Sequence, residues 1–292
     1  MPIPATITWT RLCPGVDHAT GTNHTIPPKS PQQPNVNILR IDLTCPQIEF
    51  FSTPWDQLSP HGTKTTEFLR KNFGSSTLEM FATNANFFDM NLRSIVYGLA
   101  LSRGQLSGFA LWSQCPYAVV ITKNNQAVMG TIDPGEKNDL FEAFAGVLDG
   151  SYHPWTAIAG SVYILHKRNL ITDNQVAPAV AARTAIGLSL APEGQGARYL
   201  YLLTIDGLDD WQQPPPKPPY YGATYQDAAE WLLAAGASEG FNLDGGGSST
   251  MARMSWTIAE PELMNNPHDD EGSDAKLERS VGNSFAVIVR KP

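Results

Sequence analysis

Asp206 and Asp244 each stand directly before a glycine, at the end of a short apolar run. Asp206 follows the run at 198–205, and Asp244 opens the stretch DGGGSSTM. Paired carboxylates can divide acid–base work, one acting as base or nucleophile and the other as acid or as an anchor for hydroxyl groups. Successive glycine N–H groups can form a nest that binds an anion, and hydroxyl groups can add donors. The residues that would supply these donors are Gly245, Gly246, Gly247, Ser248 and Ser249.

A plain turn is the competing interpretation of both dipeptides, since Asp-Gly is an ordinary turn sequence. Three adjacent glycines nevertheless lower the stability of the folded state, because each loses more backbone entropy on folding than any other residue. The stretch is not a Walker A loop, as no lysine follows the glycines, and the chain contains no GxSxG, HExxH or GxGxxG motif that fits. A turn and a site therefore both remain open at this point.

The elements that would position these residues are short strands and a few helices. A helix at 224–236 is indicated by Thr224 and Asp227, which resemble a capping box, and by Gly236 at its end. It lies between the runs ending at Asp206 and Asp244, so a crossover through it would bring both carboxylates to one edge of a sheet. A second helix is predicted at 65–74 and a weaker third at 139–148, while the proline tract 212–221 is interpreted as a stiff loop. The strands are predicted at 36–43, 116–122, 161–166, 198–205 and 284–290.

This pattern predicts an α+β fold, with a mixed β-sheet flanked by a few α-helices. The 292 residues are 42% hydrophobic, which is enough to build a sizeable core, and we expect one domain over residues 1–292. The formal net charge of -8 argues against nonspecific nucleic-acid binding, which needs clustered Lys and Arg. No apolar run of about eighteen residues is present, so no membrane span is expected. The first residues, MPIPATITWTRL, lack the charged and apolar regions of a secretory signal.

Neither a cofactor nor a metal is expected from the remaining residue patterns. Cys13, Cys45 and Cys115 have no CxxC spacing, and we interpret them as small buried hydrophobes rather than as a catalytic thiol. The six histidines show no ligand spacing. The acidic stretch 268–274 could bind calcium through oxygen ligands, but it lacks the EF-hand pattern, so a solvated loop is favoured.

The segment GATYQDAAEWLLAAGASEGFNLDGGGSSTM closely resembles the signature of the phosphodiester glycosidase family. The resemblance extends over about residues 36–290, with Asn86 where a glycine is common and a longer proline tract than usual. Members of this family are commonly exported. Further blocks similar to the family follow in the expected order, at 40–44, 82–89, 159–165, 182–189, 202–207 and 278–283.

The resemblance implies hydrolysis of the bond between the anomeric carbon of a sugar and a phosphodiester oxygen, with a small-molecule or glycan sugar-phosphodiester as substrate. Asp206 and Asp244 would be the carboxylates, and Arg183 would hold the phosphate through a bidentate fork, with Arg279 as a second candidate. Arg279 could instead form a surface ion pair with its neighbour. Asn84 and Asn86 would bind sugar hydroxyl groups or serve as turn residues, and Asn283 would line the site or bond to the backbone.

Two other functions are compatible with these residues. A phosphodiesterase would cleave on the phosphorus side and release a sugar phosphate. A glycan or sugar-phosphate binding module would keep the pocket without turnover. The intact carboxylate pair and Arg183 favour an enzyme, because binding alone does not need two carboxylates.

Overall fold

The structure is a computed structural model in which short strands dominate. It forms three β-sheets and two α-helices, together with short 3₁₀ turns, within the residues described. The sequence predictions at 139–148 and 212–221, and most of 268–274, lie outside those residues. The described residues are 7–23, 34–132, 153–171, 180–190, 196–207, 222–258, 260–268 and 278–292.

The first sheet has eight strands, and each neighbouring pair in it runs antiparallel. Its spatial order is β1-β2-β3-β14-β13-β15-β11-β12. The bounds are β1 Thr10–Cys13, β2 Val16–Thr22, β3 Asn35–Asp42, β11 Val162–His166, β12 Asn169–Leu170, β13 Arg183–Ser189, β14 Tyr199–Ile205 and β15 Ala237–Asn242.

The second and third sheets have five strands each and are also antiparallel. The second has the order β7-β6-β10-β8-β9, with β6 Ala100–Ser102, β7 Gln105–Gly108, β8 Tyr117–Thr122, β9 Ala127–Thr131 and β10 Pro154–Gly160. The third has the order β17-β16-β5-β18-β4, with β4 Ile48–Ser52, β5 Thr77–Asn84, β16 Met251–Ser255, β17 Glu262–Leu263 and β18 Ser284–Arg290.

The apolar residues of β14 alternate between two cores, as the two-residue period of a strand requires. Leu200 and Leu202 belong to the core that the first sheet shares with the other two sheets, where Phe285 of the third sheet also lies. Leu203 on the opposite face belongs to a second core beneath a helix. One packed interior thus connects all three sheets, while the assignment of residues 1–292 to one domain stays a prediction.

The two helices confirm the sequence signals that predicted them. Helix α1 (Thr65–Asn72) buries Phe68 and Leu69 against the third sheet. Helix α2 (Tyr225–Ala235) begins with the expected capping box between Thr224 and Asp227 and ends at Gly236 in a left-handed conformation, φ 107°. Its apolar face packs on the first sheet through Ala228, Trp231 and Leu232. Neither described helix has the length and apolarity needed to cross a bilayer.

The expected α+β fold is confirmed only in part, and the expectation that its sheet is mixed is wrong. Among the described residues the sheets are antiparallel throughout and the helical part is minor. The physical reason is visible in the dense turn residues, because antiparallel neighbours need only a hairpin, whereas each parallel pair needs a long crossover. Among the described residues such crossovers link β14 to β15 through α2 and β4 to β5 through α1. In each case an antiparallel strand, β13 or β18, lies between the two parallel strands.

Candidate active site

Three of the predicted site residues lie where neighbouring strands of the first sheet end. We call this row of strand ends the sheet edge. Strands β14 and β15 both run antiparallel to the intervening β13, so their carboxyl ends meet the amino end of β13. Asp206 follows β14, Asp244 lies two residues beyond β15, and Arg183 begins β13 opposite Ile205. The expectation that the crossover would bring both carboxylates to one edge is therefore confirmed, and Arg183 lies between them.

Arg183 and Asp206 face opposite sides of this edge. The register places Arg183 on the face that α2 covers, together with Ala185. Its guanidinium carbon lies 4.2 Å from the ring centroid of Tyr225, and its Nε donates a hydrogen bond to the carbonyl oxygen of Ala223 at 3.0 Å. The side chain is 6% exposed. Stacking and one backbone bond therefore fix the guanidinium plane, as a bidentate phosphate ligand requires.

Asp206 is completely buried, and four hydrogen bonds from asparagine residues converge on its carboxylate. Asn265 Nδ2 and the backbone N–H of Asn266 donate to Oδ1, at 3.1 and 3.0 Å. Asn35 Nδ2 and Asn266 Nδ2 donate to Oδ2, at 3.1 and 3.2 Å. Burial raises the pKa of Asp206 above its ordinary value, although the hydrogen bonds from Asn266, Asn35 and Asn265 oppose the rise. Since a carboxylate offers about four lone pairs, these donors occupy its acceptor sites.

Asp244 is only partly buried and is anchored through its backbone. Its N–H donates to the carbonyl oxygen of Ala85 at 2.9 Å, and its Oδ1 accepts the N–H of Gly245 at 3.0 Å. Burial, with a smaller contribution from the Asp244 charge, raises the pKa of the Cys115 thiol to about 12. Cys115 is thus protonated at neutral pH, which agrees with an inert buried cysteine rather than a nucleophile.

The three glycines after Asp244 serve three different geometric needs. Gly246 has φ 58°, in the left-handed region that glycine adopts without strain. A Cβ on Gly245 would lie 3.0 Å from the carbonyl oxygen of Ala182 and 3.9 Å from Arg183 Nη1. A Cβ on Gly247 would lie 2.5 Å from Arg279 Nη2, so this glycine makes room for the second guanidinium. We call residues 245–249 the glycine loop.

The glycine loop does not form the expected anion nest. The N–H of Gly245 donates to Asp244, that of Gly246 to Ala182, and those of Ser248 and Ser249 to carbonyl oxygens within the loop. These donors therefore point at protein oxygens instead of at a shared empty point. Cationic groups beside the loop are the alternative: Arg183 lies near Gly245, and Arg279 Nη1 lies 3.5 Å from Ser248 Oγ.

Asn84 joins the two ends of the segment that contains the loop. Its Nδ2 donates to the carbonyl oxygen of Asp244 at 2.6 Å, and its Oδ1 accepts the N–H of Thr250 at 3.1 Å. The same Oδ1 accepts the hydroxyl of Thr184 at 2.8 Å. The end of β5 is thereby tied to β13 and to the base of the loop. This geometry favours a clamp over the predicted contact with sugar hydroxyl groups.

Asn86 and Asn283 are both buried and bond to each other. Asn283 Nδ2 donates to Asn86 Oδ1 at 2.8 Å, while Asn86 Nδ2 donates to the carbonyl oxygens of Tyr97 and Leu99. Asn283 Oδ1 accepts the N–H of Thr53. Both side chains are at most 1% exposed. The arrangement matches the alternative in which Asn283 bonds to the backbone, and it favours a bracing role for Asn86.

Glu278 does not form the ion pair with Arg279 that was considered from the sequence. Its carboxylate accepts the N–H of Thr66 at 2.9 Å and the hydroxyl of the same residue at 2.6 Å. It therefore caps the first turn of α1, whose N-cap residue Lys64 supplies no side-chain bond. Burial raises the pKa of Glu278, and the bonds from Thr66 oppose the rise.

Sequence reasoning missed the asparagines around Asp206 and the aromatic ring under Arg183. Asn265 and Asn266 stand before Pro267, where they look like ordinary turn residues. Asn35 begins a strand, and Tyr225 begins a helix. The adjacent Asn-Asn pair was the one available signal, since two neighbouring amides can serve a single carboxylate.

Among the described residues, no group of three or more His, Cys, Asp or Glu side chains could hold a metal ion. The calcium alternative at 268–274 lies mostly outside the part of the chain that the structure describes.

The sequence model of the family "Phosphodiester glycosidase" matches residues 79–288. No match was found among curated proteins. The fold is similar to the catalytic domain of zebrafish N-acetylglucosamine-1-phosphodiester alpha-N-acetylglucosaminidase, auto-inhibited by its pro-peptide. The TM-score is 0.65 at 18% identity, covering 98% of this chain and 87% of that one. A hypothetical protein from Synechocystis gives a TM-score of 0.55 at 14% identity, covering 97% of this chain and 64% of that one.

Proposed function

The chain belongs to the phosphodiester glycosidase family, and we propose that it hydrolyses the glycosidic bond of a sugar-1-phosphodiester and releases the free sugar. An α-N-acetylglucosamine-1-phosphodiester is the substrate suggested by the name of the zebrafish enzyme. The observation that carries the proposal is the glycine loop, with Asp244 directly before it, Arg183 near Gly245 and Arg279 near Gly247 and Ser248.

The two arginines are proposed to hold the phosphate. Arg183 is fixed in orientation by Tyr225, and Arg279 lies against Gly247. The leaving group is a phosphomonoester, which departs more readily than a sugar alkoxide, so neutralising its charge matters more than protonating it. A guanidinium suits this task because it keeps its charge and presents paired N–H donors to phosphate oxygens.

Asp244 is proposed to serve the anomeric carbon. As the bond from that carbon to the phosphate oxygen breaks, its electron pair leaves with the phosphomonoester, and positive charge develops on the sugar ring. A carboxylate beside the ring can stabilise that charge, and it can act either as a base towards water or as a nucleophile. Water supplies the hydroxyl group that the released sugar carries. The backbone bonds to Ala85 and Asn84 hold Asp244 in place for this role.

Product analysis with UDP-N-acetylglucosamine tests the proposal. Free N-acetylglucosamine with UDP supports the glycosidase. N-acetylglucosamine-1-phosphate with UMP would instead identify the phosphodiesterase, and binding without either product would identify the binding module. The matched variant is Asp244→Asn, which keeps the shape but removes the charge. We expect it to lower turnover by several orders of magnitude with little change in melting temperature; near-parental turnover would contradict the role of Asp244.

A further inference from the structure

A pocket of about 520 Å³ opens at the sheet edge beside Asp206. Strands β2 and β3 contribute Thr20, Thr22 and Asn35 to its wall, and Asn266 completes it after β17. Asp206 and Asn265 lie buried beneath these residues, whereas Asn35 and Asn266 are exposed. The volume falls within the usual range of small-molecule sites.

The charge of this pocket differs from that of the glycine loop. Of the described residues that line it, Asp206 alone carries a formal charge, and the other polar groups are amides and hydroxyls. A phosphate would meet a negative carboxylate here and no cation among the described lining residues, so these residues disfavour an anion. Arg183 points to the opposite face of the same sheet edge. The anionic and the uncharged parts of a substrate thus find different surroundings on the two sides of this edge.

Asp206 fixes the orientation of the two exposed amides. A carboxylate only accepts hydrogen bonds, so the NH₂ groups of Asn35 and Asn266 must face it and their carbonyl oxygens must turn away. The backbone N–H of Asn266 also donates to Asp206, which leaves this residue little freedom to rotate. Neither amide oxygen accepts a hydrogen bond from a residue that the structure describes. The side-chain carbonyl oxygens of Asn35 and Asn266 are therefore oriented as hydrogen-bond acceptors for a ligand at the wall of the pocket.

We propose that this pocket is a subsite for an uncharged polyhydroxyl group, bound through hydroxyl donation to the amide oxygens of Asn35 and Asn266, with Asp206 as the positioning residue. The inference rests on the proposed function, since it assigns a place to the part of the substrate that carries no phosphate. The polyhydroxyl group could be the released sugar or a sugar in the group beyond the phosphate, and the two sources share this chemistry.

Direct binding of uncharged probes tests the subsite without any turnover. Methyl α-glycosides of N-acetylglucosamine, glucose and galactose are titrated into the parent, Asn35→Ala and Asn266→Ala. We expect at least one probe to bind the parent and each variant to raise its Kd about fivefold, the loss expected for one hydrogen bond. Inorganic phosphate should bind the parent and both variants alike. The control is Asn169→Ala. Asn169 is an exposed asparagine in β12, the outermost strand on the far side of the sheet from the pocket, so this variant should bind as the parent does.

Kinetics then separate the two sources and test the role of Asp206. If the pocket holds the released sugar, Asn266→Ala raises KM equally for UDP-N-acetylglucosamine and for the methyl phosphodiester of N-acetylglucosamine-1-phosphate. An increase confined to the UDP compound means that the pocket holds the group beyond the phosphate.

Asp206→Asn should raise KM with kcat within a few-fold of the parent. Three results would overturn the inference: no glycoside binding by the parent, binding by both alanine variants as tight as that of the parent, or a large loss of kcat alone in Asp206→Asn. A parent that binds glycosides without releasing sugar would refute only the proposed activity.

Discussion

Removal of the Asn84 side chain should destabilise the protein more than it alters the chemistry of the site. Asn84→Ala deletes three buried hydrogen bonds, to the Asp244 carbonyl, the Thr250 N–H and the Thr184 hydroxyl. Each contributes about 1 kcal/mol net, and a buried partner left unsatisfied costs roughly 1–3 kcal/mol. We therefore expect the free energy of unfolding to fall by roughly 3–5 kcal/mol, with a decrease in Tm on the order of 10 °C.

Urea unfolding and thermal melting of Asn84→Ala measure this loss, with Asn169→Ala as the matched control. Asn169 is exposed and donates one local bond, to Lys167, so its removal should change the free energy of unfolding by no more than about 0.5 kcal/mol. The clamp would be refuted if Asn84→Ala unfolded within about 1 kcal/mol of the parent. Loss of turnover in such a stable variant would instead restore Asn84 as a contact to the substrate.

Three further predictions concern the two arginines and a buried carboxyl group. Arg183→Lys should lose at least about tenfold in kcat/KM on phosphodiesters and less on an uncharged aryl glycoside, because an ammonium cannot replace the guanidinium fork. Equal losses on both substrates would mean that Arg183 does not bind the phosphate. Gly247→Ala should displace the Arg279 guanidinium and raise KM. The control Gly74→Ala should leave KM unchanged, because no atom lies within 4 Å of the added methyl group. Unchanged kinetics in Gly247→Ala would refute the contact between Gly247 and Arg279. The pKa of Glu278 is raised above its ordinary 4.5, so its contribution to stability is complete below pH 4.5 and is lost as the pH rises through the raised pKa. Glu278→Gln should therefore flatten the plot of urea midpoint against pH in this range. An unchanged slope of that plot would contradict the prediction.

Local sequence signals predicted the elements well where the periodicity was strong. The strand ending at Ile205 and the capped helix α2 lie within a residue or two of their expected bounds. Their order along the chain was enough to bring Asp206 and Asp244 to one edge. Which face each side chain occupies was not predictable, because it depends on the register with β13, and β13 reaches its place between the two strands only in the folded sheet.

The partners of the site asparagines were beyond local sequence reasoning. Asn84 bonds to residues 100, 160 and 166 positions away, and no periodicity in the chain marks such pairs. The same holds for Asn265, which reaches Asp206 from 59 positions away. An asparagine looks alike in sequence whether it binds a sugar, caps a turn or braces a loop. The hydrogen bonds of the fold distinguish these roles.

Hydrolysis in H₂¹⁸O tests the central claim most directly. The enzyme is incubated with UDP-N-acetylglucosamine in labelled water, and the phosphate-containing products are examined by mass spectrometry. Cleavage between the anomeric carbon and the phosphate oxygen predicts UDP without ¹⁸O, because water adds to the sugar. Label in N-acetylglucosamine-1-phosphate or in UMP would mean that water attacks phosphorus, and it would contradict a glycosidase.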